Sequence, residues 1–171
     1  MKTIFILIVF GTLILTACNN QGEKAGRALS RPGEPDVLTF ADGDQQMNAA
    51  IAEAKRTIDE FIRNIGKNEG SGVKRSLKVR FDTDKEPEHI WVGDVKMTGQ
   101  GFEGVLENEP VNIKGLKAGD KVTFSKNQIS DWILISEGKV KGGFTIKVVR
   151  NQMSPDEQRA FDEQTGGAFK E

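Results

Sequence analysis

The stretch DQQMNAAIAEAKRTIDEFIRN, residues 44–64, decides the fold because its apolar side must find a partner to pack against. Its apolar residues recur every three or four positions, which places them on one side of an α-helix. With the neighbouring Ile65 they are Met47, Ala50, Ile51, Ala54, Ile58, Phe61, Ile62 and Ile65. Asp42 or Asp44 can act as the N-cap and Gly66 as the C-terminal stop. The spacing predicts a core-packing helix over residues 44–64.

After this helix the apolar period changes from about 3.6 to 2, the period of β-strands. Residues 77–81 alternate apolar and cationic side chains, with Lys78 and Arg80 on the second face. This pattern predicts a strand with one solvated face. In residues 89–92 both faces are apolar or aromatic, so we expect that strand in the interior of the sheet.

The remaining strands are marked by turn residues. Residues 99–106 form a short apolar segment, and a Gly-Asp turn at residues 119–120 leads into another at 121–124. Glu137-Gly138 predicts a two-residue hairpin between strands at residues 131–136 and 139–149, with Phe144, Ile146 and Val148 alternating inward.

The C-terminal end carries the signature of a helix start. Ser154, Pro155 and Glu157 form a capping box with proline at the first helical position, which predicts a short helix to about Gln164. The fold class predicted from all these segments is α+β. It consists of a curved antiparallel β-sheet, with partial closure into a barrel as the alternative, one long N-terminal amphipathic helix and a short C-terminal helix.

The first residues carry the features of an export signal. Lys2 is followed by an apolar run over residues 4–15 and by the small residues Thr16 and Ala17 before Cys18. The run is shorter than the ~20 residues that span a bilayer. Leu15-Thr16-Ala17-Cys18 resembles the lipobox of bacterial lipoproteins, whose cysteine is acylated, with palmitate among the usual chains, and becomes the first mature residue. We therefore predict a cleaved signal peptide over residues 1–17 and a membrane anchor on Cys18.

The domain organisation follows from composition. Residues 18–40 are polar and rich in Gly and Pro, which predicts a flexible tether. Residues 41–165 have the apolar content of a single domain, and residues 166–171 form a tail. Asn19, directly after the cysteine, resembles outer-membrane sorting in enteric bacteria. The predicted location is the cell envelope, lipid-anchored and facing the periplasm.

Composition also excludes several classes of protein. The 171 residues include one cysteine, which leaves no disulfide framework and no thiolate zinc site. The net charge of −1 implies no nucleic-acid partner. No pattern in the sequence calls for a metal or another cofactor.

Several motifs in order resemble one known family. They are Met47-x-x-Ala50-Ile51-x-x-Ala54, Lys78-Val79-Arg80-Phe81, Glu88-His89-Ile90-Trp91-Val92, Phe102-x-Gly104-Val105-Leu106-x-Asn108-x-Pro110-Val111, Ile129-Ser130-Asp131-Trp132 and Gly142-Gly143-Phe144-Thr145. Together they resemble the YegJ-like family, a bacterial family of unknown function, over about residues 47–153. The family has no assigned catalytic residues, so the resemblance assigns none to this chain. Some members look like lipoproteins and others occur beside ankyrin-type repeats, which implies a binding or accessory module. Phe144 stands where the family often has tyrosine.

Three motifs carry possible chemistry. Residues 99–104 spell the dinucleotide fingerprint G-x-G-x-x-G, but a strand rather than a helix is expected after it, which favours a hairpin or a β-bulge. Residues 82–86 are similar to a calcium loop but lack its glycine and its final glutamate, so a solvated loop is favoured. His89, the only histidine, could form a nucleophilic trio with Ser130 and Asp131. No nucleophile elbow surrounds Ser130, and turn or cap roles are the alternative.

The binding candidates are aromatic and cationic. Trp91 and Trp132 could stack on a sugar or a partner side chain, although core packing is the alternative for both. Lys78 and Arg80 share a strand face and could attract anionic phospholipid or glycan, with Lys114, Lys117 and Lys121 adding charge nearby in sequence.

The function predicted from these observations is a lipid-anchored, non-enzymatic envelope protein that binds or scaffolds an envelope protein or glycan. One alternative is a periplasmic hydrolase that uses His89 with Ser130 or Asp131. The other is an immunity or toxin-accessory module.

Overall fold

The computed structural model describes residues 26–31, 34–40, 44–66, 72–84 and 86–170. The chain divides into two compact units, residues 1–48 and 49–171. The predicted signal peptide and Cys18 lie outside the described residues.

The first unit contains a β-hairpin. Strands β1 (Gly26–Arg31) and β2 (Glu34–Phe40) pair antiparallel, with Gly26 opposite Phe40. These strands lie in the segment for which composition predicts a tether, and the tether role stays a prediction. At the end of this unit, the Asp44 carboxylate accepts a hydrogen bond of 2.9 Å from the Met47 amide, so Asp44 is the N-cap of the helix that follows.

Helix α1 (Gln45–Ile62) confirms the amphipathic segment. Its buried side chains include Ala54, Ile58 and Phe61, each at most 3% exposed. They pack on one face of a six-stranded sheet, where Leu77 and Val79 are fully buried. This layer is the main hydrophobic core of the second unit.

The sheet is antiparallel and open. Its strands are β3 (Lys74–Phe81), β4 (Glu88–Thr98), β5 (Gly101–Leu106), β6 (Lys121–Phe124), β7 (Ile129–Ser136) and β8 (Lys139–Gly142). A 3₁₀ turn, Lys126–Gln128, joins β6 to β7. The strand order is β6-β5-β4-β3-β7-β8, so β4 is an interior strand as predicted and the sheet does not close into a barrel. The α+β class with a curved antiparallel sheet is confirmed.

Two predicted hairpins are present. The segment with the G-x-G-x-x-G spelling forms the turn between β4 and β5, with Thr98 opposite Gly101, and is no nucleotide-binding turn. Glu137 and Gly138 connect β7 to β8, and both have positive φ, as a tight two-residue hairpin requires.

The strand predicted over residues 139–149 is wrong beyond Gly142. The chain there forms helix α2 (Phe144–Gln152). Gly142 and Gly143 both have positive φ, which breaks the strand and directs the chain into the helix. Phe144, Ile146 and Val148 alternate with other residues as in a strand, but they lie in this helix.

Helix α3 (Pro155–Thr165) begins at the predicted capping box. The Ser154 amide donates to the Glu157 carboxylate at 2.8 Å, and Pro155 occupies the first helical position. Arg150 of α2 forms two hydrogen bonds of 2.7 Å with Asp162 of α3, which ties the two helices together.

A second, smaller core lies on the other face of the sheet. It is centred on Ile133, Phe161 and Phe169, with Trp91 and Ile146 packed against it. Because side chains alternate along a strand, Ile133 points away from the neighbouring Trp132, which belongs to the main core. Within the described ranges, no helix is long and apolar enough to cross a bilayer.

Candidate functional site

The strand register brings the predicted site residues together on the second face of the sheet. Lys78 of β3 lies between Trp91 of β4 and Asp131 of β7. Two residues further along β3, on the same face, Arg80 lies opposite His89. Five of the residues singled out in the sequence are therefore neighbours, although they come from three different strands.

Ser130 occupies a β-bulge. Val79 pairs with Ile129 and Lys78 pairs with Asp131, so Ser130 is the extra residue on β7. Its hydroxyl lies 2.8 Å from Nδ1 of His89 and donates to the Lys78 carbonyl at 3.2 Å. Both bonds are satisfied together when Nδ1 carries the proton and His89 is the donor.

Asp131 is fully buried and caps helix α2 from a distance in sequence. Its carboxylate accepts from the Trp132 amide at 2.8 Å, the Phe144 amide at 3.2 Å and the Thr145 amide at 2.8 Å. It also accepts from the Thr145 hydroxyl at 2.7 Å. The residue at the N-cap position is Gly143, which has no side chain to offer. Asp131 therefore supplies the cap that the local sequence lacks.

Lys78 completes a short relay of donors. Its Nζ lies 3.3 Å from the Thr145 hydroxyl, which in turn donates to Asp131. Nζ also lies 5.7 Å from the centre of the Trp91 ring, within the range of a cation–π contact. We call Lys78, His89, Trp91, Ser130, Asp131 and Thr145 the polar cluster.

Burial dominates the electrostatics of this cluster. It raises the pKa of Asp131, and the hydrogen bonds from Thr145, the charge of Lys78 and the Trp132 amide oppose the rise. Burial lowers the pKa of Lys78, and the charge of Asp131 opposes that shift. Each group thus depends on the other to hold its charge in a poorly hydrated place.

The geometry supplies part of the predicted nucleophilic trio. Ser130 and His89 lie within hydrogen-bond distance, but the Asp131 carboxylate is directed to the start of α2. Ser130 is only 3% exposed, which leaves its hydroxyl little access to a substrate. Two cavities of the described residues have linings that include neither Ser130 nor His89.

The two tryptophans differ in accessibility. Trp132 is 2% exposed, and its indole N–H donates to the Ala54 carbonyl at 3.2 Å, so its ring has no surface for a partner in this conformation. Trp91 is partly exposed beside Lys78. Arg80 is exposed and its Nε donates to Asp82 at 3.1 Å. Lys121 lies on β6, three strands from Lys78.

Sequence reasoning missed Thr145, which joins Lys78 to Asp131. The signal for it was the pair Gly142-Gly143 directly before Phe144-Thr145. A side chain on Gly142 would lie 2.0 Å from the Trp132 carbonyl oxygen, and one on Gly143 would lie 2.7 Å from the Phe169 ring. Two glycines that admit no side chain indicate a tight entry into a helix rather than a strand.

The described residues offer no metal site. No group of three or more His, Cys, Asp or Glu side chains there could hold an ion. In the loop similar to a calcium site, Asp82 instead pairs with Arg80.

Comparisons with known proteins place these features in a family context. A family model described as "Uncharacterized protein conserved in bacteria (DUF2314)" matches residues 44–169. A protein of Neisseria meningitidis serogroup B named "Putative ankyrin repeat protein" is 30% identical over 145 residues, which cover 80% of this chain and 57% of that protein. The chain thus spans little more than half of this relative. "Uncharacterized protein YegJ" of Escherichia coli K12 is 30% identical over 112 residues, 65% of this chain and 72% of that protein. No solved structure matches the chain.

Proposed function

This chain belongs to the YegJ-like bacterial family described as DUF2314, and from that premise we propose that it is a lipid-anchored, non-enzymatic module that binds an acidic partner in the cell envelope. The anchor is the acylated Cys18, and the domain faces the periplasm, on the outer membrane in a Gram-negative cell. The relative named for ankyrin repeats supports a binding role, because a domain carried beside such repeats is suited to assembly with other proteins.

The binding proposal rests on the arrangement of four side chains on the second face of the sheet. They are Lys78, Arg80, His89 and Trp91, and we call them the cationic block. The register places Lys78 beside Trp91 and Arg80 beside His89 on adjacent strands. Arg80 and His89 are exposed, and Lys78 and Trp91 are partly so. The block contains a tryptophan and an arginine, two residue types that are enriched in binding hot spots.

The charges near the block leave it able to accept an acidic group. Asp131 is buried against α2. Asp82 pairs with Arg80, but both side chains are more than half exposed. Such exposed pairs contribute only about 0–1 kcal/mol, so a partner's carboxylate or phosphate can replace Asp82 at little cost.

The state of Asp131 and Ser130 supports the absence of catalysis. Asp131 already accepts four hydrogen bonds, and Ser130 is buried in the bulge. The distance of 2.8 Å between Ser130 and His89 is the one observation that favours the hydrolase alternative.

A fluorophosphonate probe distinguishes the non-enzymatic protein from a serine hydrolase. We expect no labelling of the native protein, and labelling at Ser130 that disappears in Ser130→Ala would establish the hydrolase instead.

The anchor is tested by metabolic labelling with an alkyne analogue of palmitate. Cys18 is the only cysteine, so Cys18→Ala is a complete control for thioester and thioether attachment. We expect label on the wild-type chain and none on the variant. An unlabelled wild-type chain that keeps residues 1–17 in mass spectrometry would overturn the anchor.

The binding role is tested by photo-crosslinking of the membrane-bound protein in envelope preparations. We expect Arg80→Glu to weaken partner retention by about tenfold, the effect of losing a moderate hot spot. Lys139→Glu makes the same charge change at an exposed position of β8 and should bind like the wild type. Equal retention by both variants would overturn the cationic block as the site, and no retained partner with the wild type would overturn the binding role.

A further inference from the structure

Lys78 differs from the other cations on its face of β3 in the partners of its amine. Lys74 Nζ lies 3.2 Å from the Glu107 carboxylate, and Arg80 Nε lies 3.1 Å from that of Asp82. Within the part of the chain that the structure describes, no carboxylate oxygen lies at ion-pair distance from Lys78 Nζ. The residue is partly exposed. Lys78 is therefore a partly exposed lysine whose amine has no direct counter-ion among these residues.

The contacts of this amine give its proton little support. Nζ donates to the Thr145 hydroxyl at 3.3 Å and lies 5.7 Å from the centre of the Trp91 ring. An ammonium group has three donors, and the described residues offer it this one hydrogen-bond acceptor. The carboxylate of Asp131 accepts from the amides that start α2 and from Thr145 instead. Burial accordingly lowers the pKa of Lys78.

The surroundings of the amine favour a reactant with an acidic group. Arg80 is two residues further along the same face of β3, which places the two backbone positions about 7 Å apart. Its ion pair with Asp82 is exposed and contributes only about 0–1 kcal/mol, so an incoming carboxylate can replace Asp82. A neighbouring cation and a poorly hydrated position are also the two conditions that turn a lysine into a nucleophile. Lys78 meets both of them.

We propose that Lys78 captures a small aldehyde or ketone that carries a carboxylate, by forming an imine with its carbonyl carbon while the carboxylate lies against Arg80. The lone pair of the uncharged amine attacks the carbonyl carbon, and the carbonyl oxygen takes one proton from the nitrogen. The resulting hydroxyl leaves with the second hydrogen of the nitrogen as water, and the C=N bond forms. The step therefore needs no oxidant or reductant. It rests on the proposed function only in the preference of the cationic block for an acidic group.

The test is reductive trapping on the full-length protein, with peptide mapping of every modified lysine. The probes are 4-oxobutanoate and butanal, which share a four-carbon chain and differ in the carboxylate, and cyanoborohydride makes each imine permanent. We expect 4-oxobutanoate to modify Lys78 faster than the exposed Lys96 and Lys139 of the same molecule. Butanal should modify Lys78 about fivefold more slowly, the effect of one exposed charge contact. Absence of an adduct at Lys78, or equal rates at Lys78 and Lys139, would overturn the proposal.

Two further readouts separate a reactive amine from a merely accessible one. The rate at Lys78 should reach half its maximum at a lower pH than the rate at Lys139, because Lys78 loses its proton more readily. Arg80→Gln should slow 4-oxobutanoate about fivefold more than it slows butanal, and Lys139→Gln is the matched control. Identical pH profiles at the two lysines, or equal slowing of both probes, would refute the proposal.

The trapping experiment and the cross-linking of an acidic partner fail independently. A wild-type protein that forms the adduct but retains no partner would overturn the binding role and leave the imine standing. A protein that retains a partner through the cationic block but forms no adduct at Lys78 would overturn the imine alone.

Discussion

Replacement of Asp131 by alanine should destabilise the second unit more than any other single change in the polar cluster. The substitution removes the acceptor of three amide N–H groups and of the Thr145 hydroxyl. It also removes the charge that faces Lys78. Helix α2 then starts without a cap, because Gly143 has no side chain to replace it.

The magnitude follows from these losses, which overlap and do not add. Loss of an N-cap costs about 0.5–2 kcal/mol, and each buried donor left unpaired costs about 1–3 kcal/mol. Loss of the negative charge that faces Lys78 adds to these two costs. We expect a loss of about 3–5 kcal/mol in the free energy of unfolding, a large part of the ~5–15 kcal/mol typical of a domain.

The assay is urea unfolding of the full chain, followed by tryptophan fluorescence. Asp131→Asn keeps one acceptor oxygen and should lose less than alanine, and Thr145→Val, which removes one hydroxyl, should lose about 1–2 kcal/mol. Asp84→Ala, at an exposed site, should stay within about 0.5 kcal/mol of the wild type. A loss below about 1 kcal/mol for Asp131→Ala would refute the capping role and leave this carboxylate available for chemistry.

Three further predictions concern other features. Gly142→Ala should cost about 3 kcal/mol or more, since its Cβ meets a carbonyl oxygen at 2.0 Å, whereas Gly138→Ala, with open space around it, should cost about 1 kcal/mol; thermal unfolding compares them. The hydrogen bond from Arg150 lowers the pKa of Asp162 below the ordinary 3.8. The ionised carboxylate therefore stabilises the fold near neutral pH, and this contribution is lost as the pH falls through the lowered pKa. Urea midpoints should therefore fall more steeply below about pH 4 in the wild type than in Asp162→Asn. Iodide should quench the partly exposed Trp91 and spare the buried Trp132, so Trp91→Phe should give a quencher-resistant emission.

Each of these predictions has a contrary outcome. Equal losses for the two glycine variants would show that the chain at Gly142 relaxes without cost. Parallel pH profiles for the wild type and Asp162→Asn would show that the link between α2 and α3 contributes nothing to stability. Quenching that survives in Trp91→Phe would show that the main core admits the quencher.

The parts of the fold that could be predicted depend on local pattern. Helix α1 follows from a single apolar stripe, and its observed bounds differ by one or two residues from those predicted. The capping box of α3 and the Glu137-Gly138 hairpin follow from turn chemistry within four residues. In these places the residues that decide the structure are adjacent in sequence, so the pattern is sufficient.

Helix α2 could not be predicted because its determinant is distant in sequence. Its β-branched residues favour a strand locally. The acceptor for its first amides is Asp131, which precedes Thr145 by 14 positions. The bulge at Ser130 could not be predicted from the sequence either, because it depends on the register of β7 against β3. The sequence could name the residues of the polar cluster, but only the pairing of strands shows which of them meet.

Both edges of the six-stranded sheet are short, and this has a consequence for a protein crowded on a surface. Strands β6 and β8 have four residues each, and lysines stand at Lys121, Lys139 and Lys141. Short edge strands that carry lysines disfavour pairing with an edge strand of a neighbouring copy, which is the contact that leads to fibrils. For the anchored protein proposed above, with many copies confined to one membrane, such edges let high local density coexist with separate, independently folded molecules.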